Sequence, residues 1–136
     1  MLSFFRNLFG ESAAPLKGVP KVRREKTYSA ETGYVYQYFY AGYREARRDG
    51  EEGHEHLFDV SSDRSSRFTI RMFLGRGALD PWEKANGREL TSTEQYALVK
   101  LSLFQAFDER TDFSGENAVV VVRPEQVAEH VSTLDL

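Results

Sequence analysis

The chain has 136 residues, of which 40% are hydrophobic and 29% charged, with a net charge of −3. This length predicts one domain and excludes a two-domain enzyme. The composition excludes disorder, collagen and coiled coil as descriptions of the whole chain. Because the chain contains no cysteine, disulfides, thiolate zinc sites and iron–sulfur clusters are also excluded. No apolar run approaches the roughly 18 residues of a membrane span, and we expect a cytoplasmic location.

The chain begins with a short apolar segment and a basic linker, residues 1–26, ahead of a single domain, residues 27–136. Residues 1–26 carry six cations and two anions, so residues 27–136 have a net charge of −7. Two prolines and a glycine interrupt the linker, which predicts an extended or mobile segment. The apolar segment could lie on an anionic membrane, dock on a partner or a second copy, or fold onto its own domain. We expect docking outside the domain, through Phe4, Phe5, Leu8 and Phe9.

Three strands are predicted next, joined by short connections. Residues 34–43 are rich in aromatic side chains, which favour a pleated, partly buried surface. A charged turn follows, and residues 56–60 form the second strand. Residues 67–74 alternate cleanly and form the third. Its apolar face carries Phe68, Ile70, Met72 and Leu74. Short connections predict an antiparallel meander, since a parallel pair would need a long crossover.

Two helices are predicted after this meander. Asp80 is a suitable N-cap residue with Pro81 at the first helical position, and an Asn-Gly pair would end this short helix. Thr91 and Glu94 match the capping box, in which each side chain binds a backbone N–H of the first turn. A long helix is therefore predicted over residues 92–109. Its apolar stripe is so wide that most of the helix should be buried.

The C-terminal part adds one strand and one helix to the fold. Residues 118–122 form a continuous apolar run, which predicts a strand covered on both faces. Pro124 is expected to open the terminal helix. The predicted order is β-β-β-α-α-β-α. We therefore expect a two-layer α+β domain, with a mostly antiparallel sheet of about four strands and the long helix packed on one face.

Tyrosines at alternating positions of the first strand are the least ordinary feature. If their face is open, the rings could stack on bases or sugars, with two arginines of the third strand beside them. Alternatively, the rings pack beneath a helix while the hydroxyls reach water. The acidic charge of the domain and the absence of an RNA-binding motif argue against a nucleic-acid role. The predicted ligand-binding residues are Tyr34, Tyr36, Tyr38, Tyr40, Arg67 and Arg71.

A pair of histidines is the second candidate site. His54 and His56 stand at positions i and i+2 of an extended segment, so both could bind one divalent metal. A metal site generally needs a third ligand, and the only other histidine is His130 in the terminal helix. We therefore predict no metal and no other cofactor.

Common catalytic motifs are missing from the sequence, and the paired carboxylates lie in polar segments where nothing desolvates them. We therefore predict no catalytic residues and interpret the chain as a non-enzymatic binding or protein-interaction module. Two alternatives stay open. One is a small metal- or acid/base-dependent enzyme that uses His54 and His56. The other is a single-stranded nucleic-acid binder that uses the tyrosine face.

Overall fold

The computed structural model describes residues 14–136, and within them five strands form one sheet beside three α-helices. The strands, in the order in which they lie in the sheet, are β1 (Lys26–Ser29), β2 (Val35–Arg48), β3 (Glu51–Ser61), β4 (Phe68–Gly75) and β5 (Val119–Val121). The helices are α1 (Arg76–Asn86), α2 (Ser92–Glu109) and α3 (Pro124–Thr133), and a 3-10 turn (Gly115–Ala118) precedes β5. Strands β1 to β4 pair antiparallel, whereas β5 runs parallel to β4. The predicted α+β fold with a mostly antiparallel sheet is confirmed.

The hairpin formed by β2 and β3 is longer than predicted, because the charged segment between the aromatic strand and His56 belongs to it. Asp49 and Gly50, with φ of 51° and 79°, form the two-residue turn that this geometry favours. Arg44 and Glu55 face each other across the strands and form an ion pair at 2.7 Å. Alternating charges therefore pair across this hairpin, although in the sequence they are typical of a loop.

Strand β1 was not predicted, since it is only four residues long and mostly polar. Its anchor is Tyr28, which stacks on Phe104 of α2 at 4.2 Å and donates a hydrogen bond to Asp108 at 2.7 Å. Upstream, Lys17 and Tyr43 exchange two backbone hydrogen bonds of 2.7 and 2.9 Å. Residues 18–25 lie between these two pairings and face only residues 39–42 of β2, so they must arch away from the strand edge.

The hydrophobic core lies between one face of the sheet and the helices. Ile70, Met72 and Leu74 are buried there as predicted, and Phe68 is partly buried against the same cluster. Phe107 of α2 is completely buried and stacks on Tyr36 at 4.0 Å. The predicted bounds of α2 are confirmed, but six of its 18 residues are fully buried, fewer than the wide apolar stripe predicts.

Helix α1 begins five residues earlier than predicted, so that Pro81 lies inside it and Asp80 is not its N-cap. The cause is a contact from β3 that the local sequence does not show. The Glu51 carboxylate accepts a hydrogen bond from the backbone N–H of Gly77, which satisfies one of the first-turn donors. The end of α1 is as expected, because Gly87 takes the left-handed conformation at φ 65°.

Strand β5 also differs from its prediction. It spans three residues, pairs only with β4 and leaves Val121 45% exposed. The apolar run therefore predicted the strand correctly, but the prediction that both faces are covered is wrong. At this edge of the sheet, one face of β5 has no helix on it.

The capping box at the start of α2 is present as predicted. The Thr91 hydroxyl accepts from the Glu94 N–H at 3.2 Å, and the Glu94 carboxylate accepts from the Thr91 N–H at 2.9 Å. Thr91→Ala should lower the free energy of unfolding by about 1 kcal/mol, because the first-turn donor loses its acceptor. Urea denaturation of both proteins measures this difference. An unchanged transition midpoint would show that the cap does not stabilise the helix.

Candidate functional site: a tyrosine-lined pocket

The four alternating tyrosines do not form an open ladder. Tyr36 and Tyr38 are 1% and 3% exposed, because α2 covers them. Tyr36 stacks on Phe107, and Tyr38 packs edge-on against Phe104 at 5.8 Å. Tyr34 lies at the outer end and is 46% exposed. The alternative in which the rings pack beneath a helix thus describes Tyr36 and Tyr38, and Tyr40 is partly buried.

The two arginines expected beside the tyrosines lie on the opposite face of the sheet. Arg67 binds Asp59 at 2.7 Å and lies over the ring of Phe39, which alternates away from the tyrosines. Arg71 is exposed on the same outer face. The structure therefore does not bring Arg67 and Arg71 together with the tyrosine rings.

A different grouping of tyrosines surrounds a cavity of about 390 Å³. We call this cavity the tyrosine pocket. Three parts of the chain line it. One is residues 18–26, which we call the arch and whose last residue, Lys26, begins β1. The others are the middle of β2 and the first turn of α2. The strand and helix supply Tyr38, Tyr40, Tyr43, Ser92, Thr93 and Tyr96. The arch supplies Gly18, Pro20, Val22, Arg24 and Lys26.

A β-bulge brings Tyr40 and Tyr43 to the same face, although three positions separate them. The register passes from Tyr40 opposite Phe58 to Gly42 opposite Leu57, so one residue of β2 is extra. Gly42 has φ 121° and a Cβ there would lie 2.7 Å from the Lys17 carbonyl oxygen. Only glycine therefore allows the arch to approach the strand so closely.

His56 supports the pocket from inside the sheet. It is 2% exposed, its Nδ1 lies 2.9 Å from the Tyr40 hydroxyl, and Tyr43 stacks on its ring at 5.3 Å. Burial, and secondarily the charge of His54, lowers the pKa of His56 to about 3. Burial raises the pKa of Tyr40 above its usual range. Both side chains are therefore neutral at physiological pH. Their hydrogen bond holds the Tyr40 ring in place and does not transfer a proton.

The three histidines lie on two separate elements. His54 and His56 are on β3, beside Tyr43, whereas His130 is buried on α3. Within residues 14–136, no group of three or more His, Cys, Asp or Glu side chains is placed to hold a metal ion.

Of the residues that line the tyrosine pocket, only Tyr38 and Tyr40 are among the predicted ligand-binding residues. Tyr43 lies in the predicted aromatic strand, residues 34–43, and Tyr96 in the predicted long helix, residues 92–109, but neither was predicted to bind a ligand. One signal was available: a glycine inside a strand pattern is typical of a bulge or of a close backbone approach, and Gly42 marks both. Nothing in the sequence indicated that residues 18–26 would lie close to β2.

Comparison of the chain with protein-family models, curated proteins and solved structures finds no match. Among the helices of residues 14–136, none has the length and apolar character needed to cross a membrane.

Proposed function

We propose that the protein is a non-enzymatic binding module that holds a small ligand in the tyrosine pocket. The observation that supports this most is the aromatic cavity of about 390 Å³, which three separate parts of the chain enclose. Ligand sites in proteins are commonly clefts of roughly 300–1,000 Å³ with apolar and aromatic walls and a few polar groups. A second cavity of about 410 Å³, near His54, is lined by four charged side chains and by alanine, glycine and leucine, and it has no tyrosine, phenylalanine or tryptophan in its wall.

The chemistry of the pocket favours binding over catalysis. A general acid or base transfers a proton most effectively when its pKa lies near the working pH. At Tyr40 the pKa is raised and at His56 it is lowered, so each shift stabilises the neutral form. These shifts argue against His56 as a general base in the acid/base alternative. The nucleic-acid alternative also loses support, because Tyr36 and Tyr38 are buried.

A substitution that fills the pocket tests this proposal. Thr93 is an exposed residue at the pocket wall, and Thr93→Trp should block the cavity without changing the core. We expect 2-naphthyl phosphate or 2-naphthylmethanol to shift the amide resonances of Ser92 and Tyr96 in the natural chain and not in this variant.

Thr69→Trp is the matched control, because Thr69 is an exposed threonine on the outer face of β4. This variant should bind the probes like the natural chain. Amide spectra unchanged at millimolar concentrations of both probes, or equal binding in the two variants, would contradict the proposal.

A second proposal concerns association through the apolar residues 1–10, which lie outside the described residues. Six large apolar side chains within ten residues favour a docking surface on a partner chain or an anionic membrane. This proposal, like a cytoplasmic location, rests on the sequence alone.

Deletion of residues 1–13 should leave the melting temperature nearly unchanged and reduce self-association or binding to anionic vesicles. The deletion ends before Leu16 because residues 16–19 contact Gly42 and Tyr43. Thermal melts and sedimentation with and without vesicles, at low and high salt, compare the two proteins. A fall of more than about 4–8 °C would show that the segment stabilises the domain, and the docking proposal would be abandoned.

A further inference from the structure

We propose that the ligand of the tyrosine pocket is a small amphipathic anion, with a carboxylate or phosphate group on an aromatic or apolar body. Its charged group would lie between Lys26, Arg24 and the first turn of α2. This inference rests on the proposed function, because it names the chemical class that the same pocket binds.

The wall of the tyrosine pocket is positively charged. The chain has 21 acidic and 18 basic residues, yet the pocket is lined by two cations and no carboxylate. Arg23 of the arch binds Asp59, and Lys17, just before the arch, binds Glu45. Within residues 14–136, Lys21, Arg24 and Lys26 form no ion pair, and of these three only Arg24 and Lys26 line the pocket. Their charges are therefore available to a bound anion.

A third cation, Lys100, lies near Lys26. Lys100 lies one turn after Tyr96 on α2, and its ammonium is 6.0 Å from the centre of the Tyr38 ring. Burial first, and then the nearby Lys26, lowers the pKa of Lys100. A carboxylate or phosphate bound to Lys26 in the pocket would reduce the repulsion between the two like charges.

The first turn of α2 also favours an anion in the pocket. The capping box uses the N–H groups of Thr91 and Glu94, and leaves those of Ser92 and Thr93 without an intrahelical acceptor. Both residues line the pocket. First-turn N–H groups carry the positive end of the helix dipole, which favours an anion in addition to the two cations.

The rest of the pocket fits an apolar body. The rings of Tyr40 and Tyr96 lie 4.5 Å apart at an angle of 56°, and Val22 faces them from the arch. Such tilted rings offer both a face and an edge to an aromatic ligand. An inorganic ion alone would leave this surface in contact with water, so the ligand should carry both parts.

Four naphthalene probes separate these contributions, because they share one apolar body: 2-naphthyl phosphate, 2-naphthoate, 2-naphthylmethanol and 2-naphthylmethylamine. Amide shifts of the full-length chain give the dissociation constants. We expect at least one of the two anions to bind about tenfold more tightly than the alcohol, and the amine to bind most weakly. The order of phosphate and carboxylate identifies which anion the pocket prefers. Added salt should reduce the preference.

Substitutions in the arch test which cations cause the preference for anions. In the double variant Arg24→Gln with Lys26→Gln, the two anionic probes should bind no more tightly than the alcohol. Lys21→Gln with Lys84→Gln is the control, since it removes the same charge at positions outside the pocket wall. The control should keep the full preference.

The outcomes distinguish the inference from the proposed function. Equal affinities of the alcohol and both anions, all abolished by Thr93→Trp, would overturn the anion inference and leave the binding function. If both double variants lost the preference for anions equally, the anion inference would also be overturned, because the preference would then reflect the net charge of the protein. Absence of binding by all four probes would overturn the function itself.

Discussion

Phe107→Ala should lower the free energy of unfolding by about 3–5 kcal/mol, the range for removing a large aromatic side chain from a packed core. Phe107 is completely buried, stacks on Tyr36 and on Tyr28, and lies edge-on to Phe113 at 5.7 Å. Its loss therefore leaves a cavity that three other rings surround. Met72→Ala removes an equally buried side chain of β4 and should lower the free energy of unfolding by about 2–5 kcal/mol.

Chemical denaturation with a matched control measures these effects. Val121→Ala removes a side chain that is 45% exposed, and should change stability by no more than about 0.5 kcal/mol. Losses below about 1 kcal/mol at both Phe107 and Met72 would mean that the core is not where the structure places it.

Acid should destabilise the protein strongly through His56. Its pKa is about 3 in the folded protein and 6.5 in the unfolded chain. Between these values the unfolded chain binds the proton and the folded protein does not, so stability falls as the pH drops below 6.5. Each pH unit in this window costs about 1.4 kcal/mol, so this histidine alone should remove about 2–3 kcal/mol at pH 4.5 relative to pH 7.

Denaturation at pH 7 and pH 4.5 isolates this contribution when variants are compared. His56→Asn should be less stable at pH 7 but should lose about 2–3 kcal/mol less on acidification than the natural chain, because the titrating group is gone. His54→Asn changes the partly exposed neighbour and should keep most of the acid sensitivity. Parallel pH profiles for the natural chain and His56→Asn would contradict the account of this buried histidine.

Elements with a strong local signal could be predicted from the sequence. The alternation in β4, the capping box of α2 and Pro124 at the start of α3 each lie within a few neighbouring residues. The start of α1 could not be predicted, because Glu51 satisfies its first turn from 26 residues away. Likewise, the position of β5 depends on which strand it pairs with, and its apolar run looks the same at a sheet edge or centre.

The candidate site was predictable only in part, for the same physical reason. Alternation correctly put Tyr36, Tyr38 and Tyr40 on one face. It could not show that α2 covers two of them, because that depends on tertiary packing. The pocket depends on the bulge at Gly42 and on the arch after Lys17, and both arise from contacts between segments distant in the chain.

Intermolecular nuclear Overhauser effects between bound 2-naphthyl phosphate and the full-length chain test the central claim most directly. A ligand in the tyrosine pocket should show contacts from its naphthyl protons to the ring protons of Tyr40, Tyr43 and Tyr96, since these rings line the cavity. Contacts to Phe39 on the outer face of the sheet instead, or none to the three tyrosines while the probe is bound, would contradict the account.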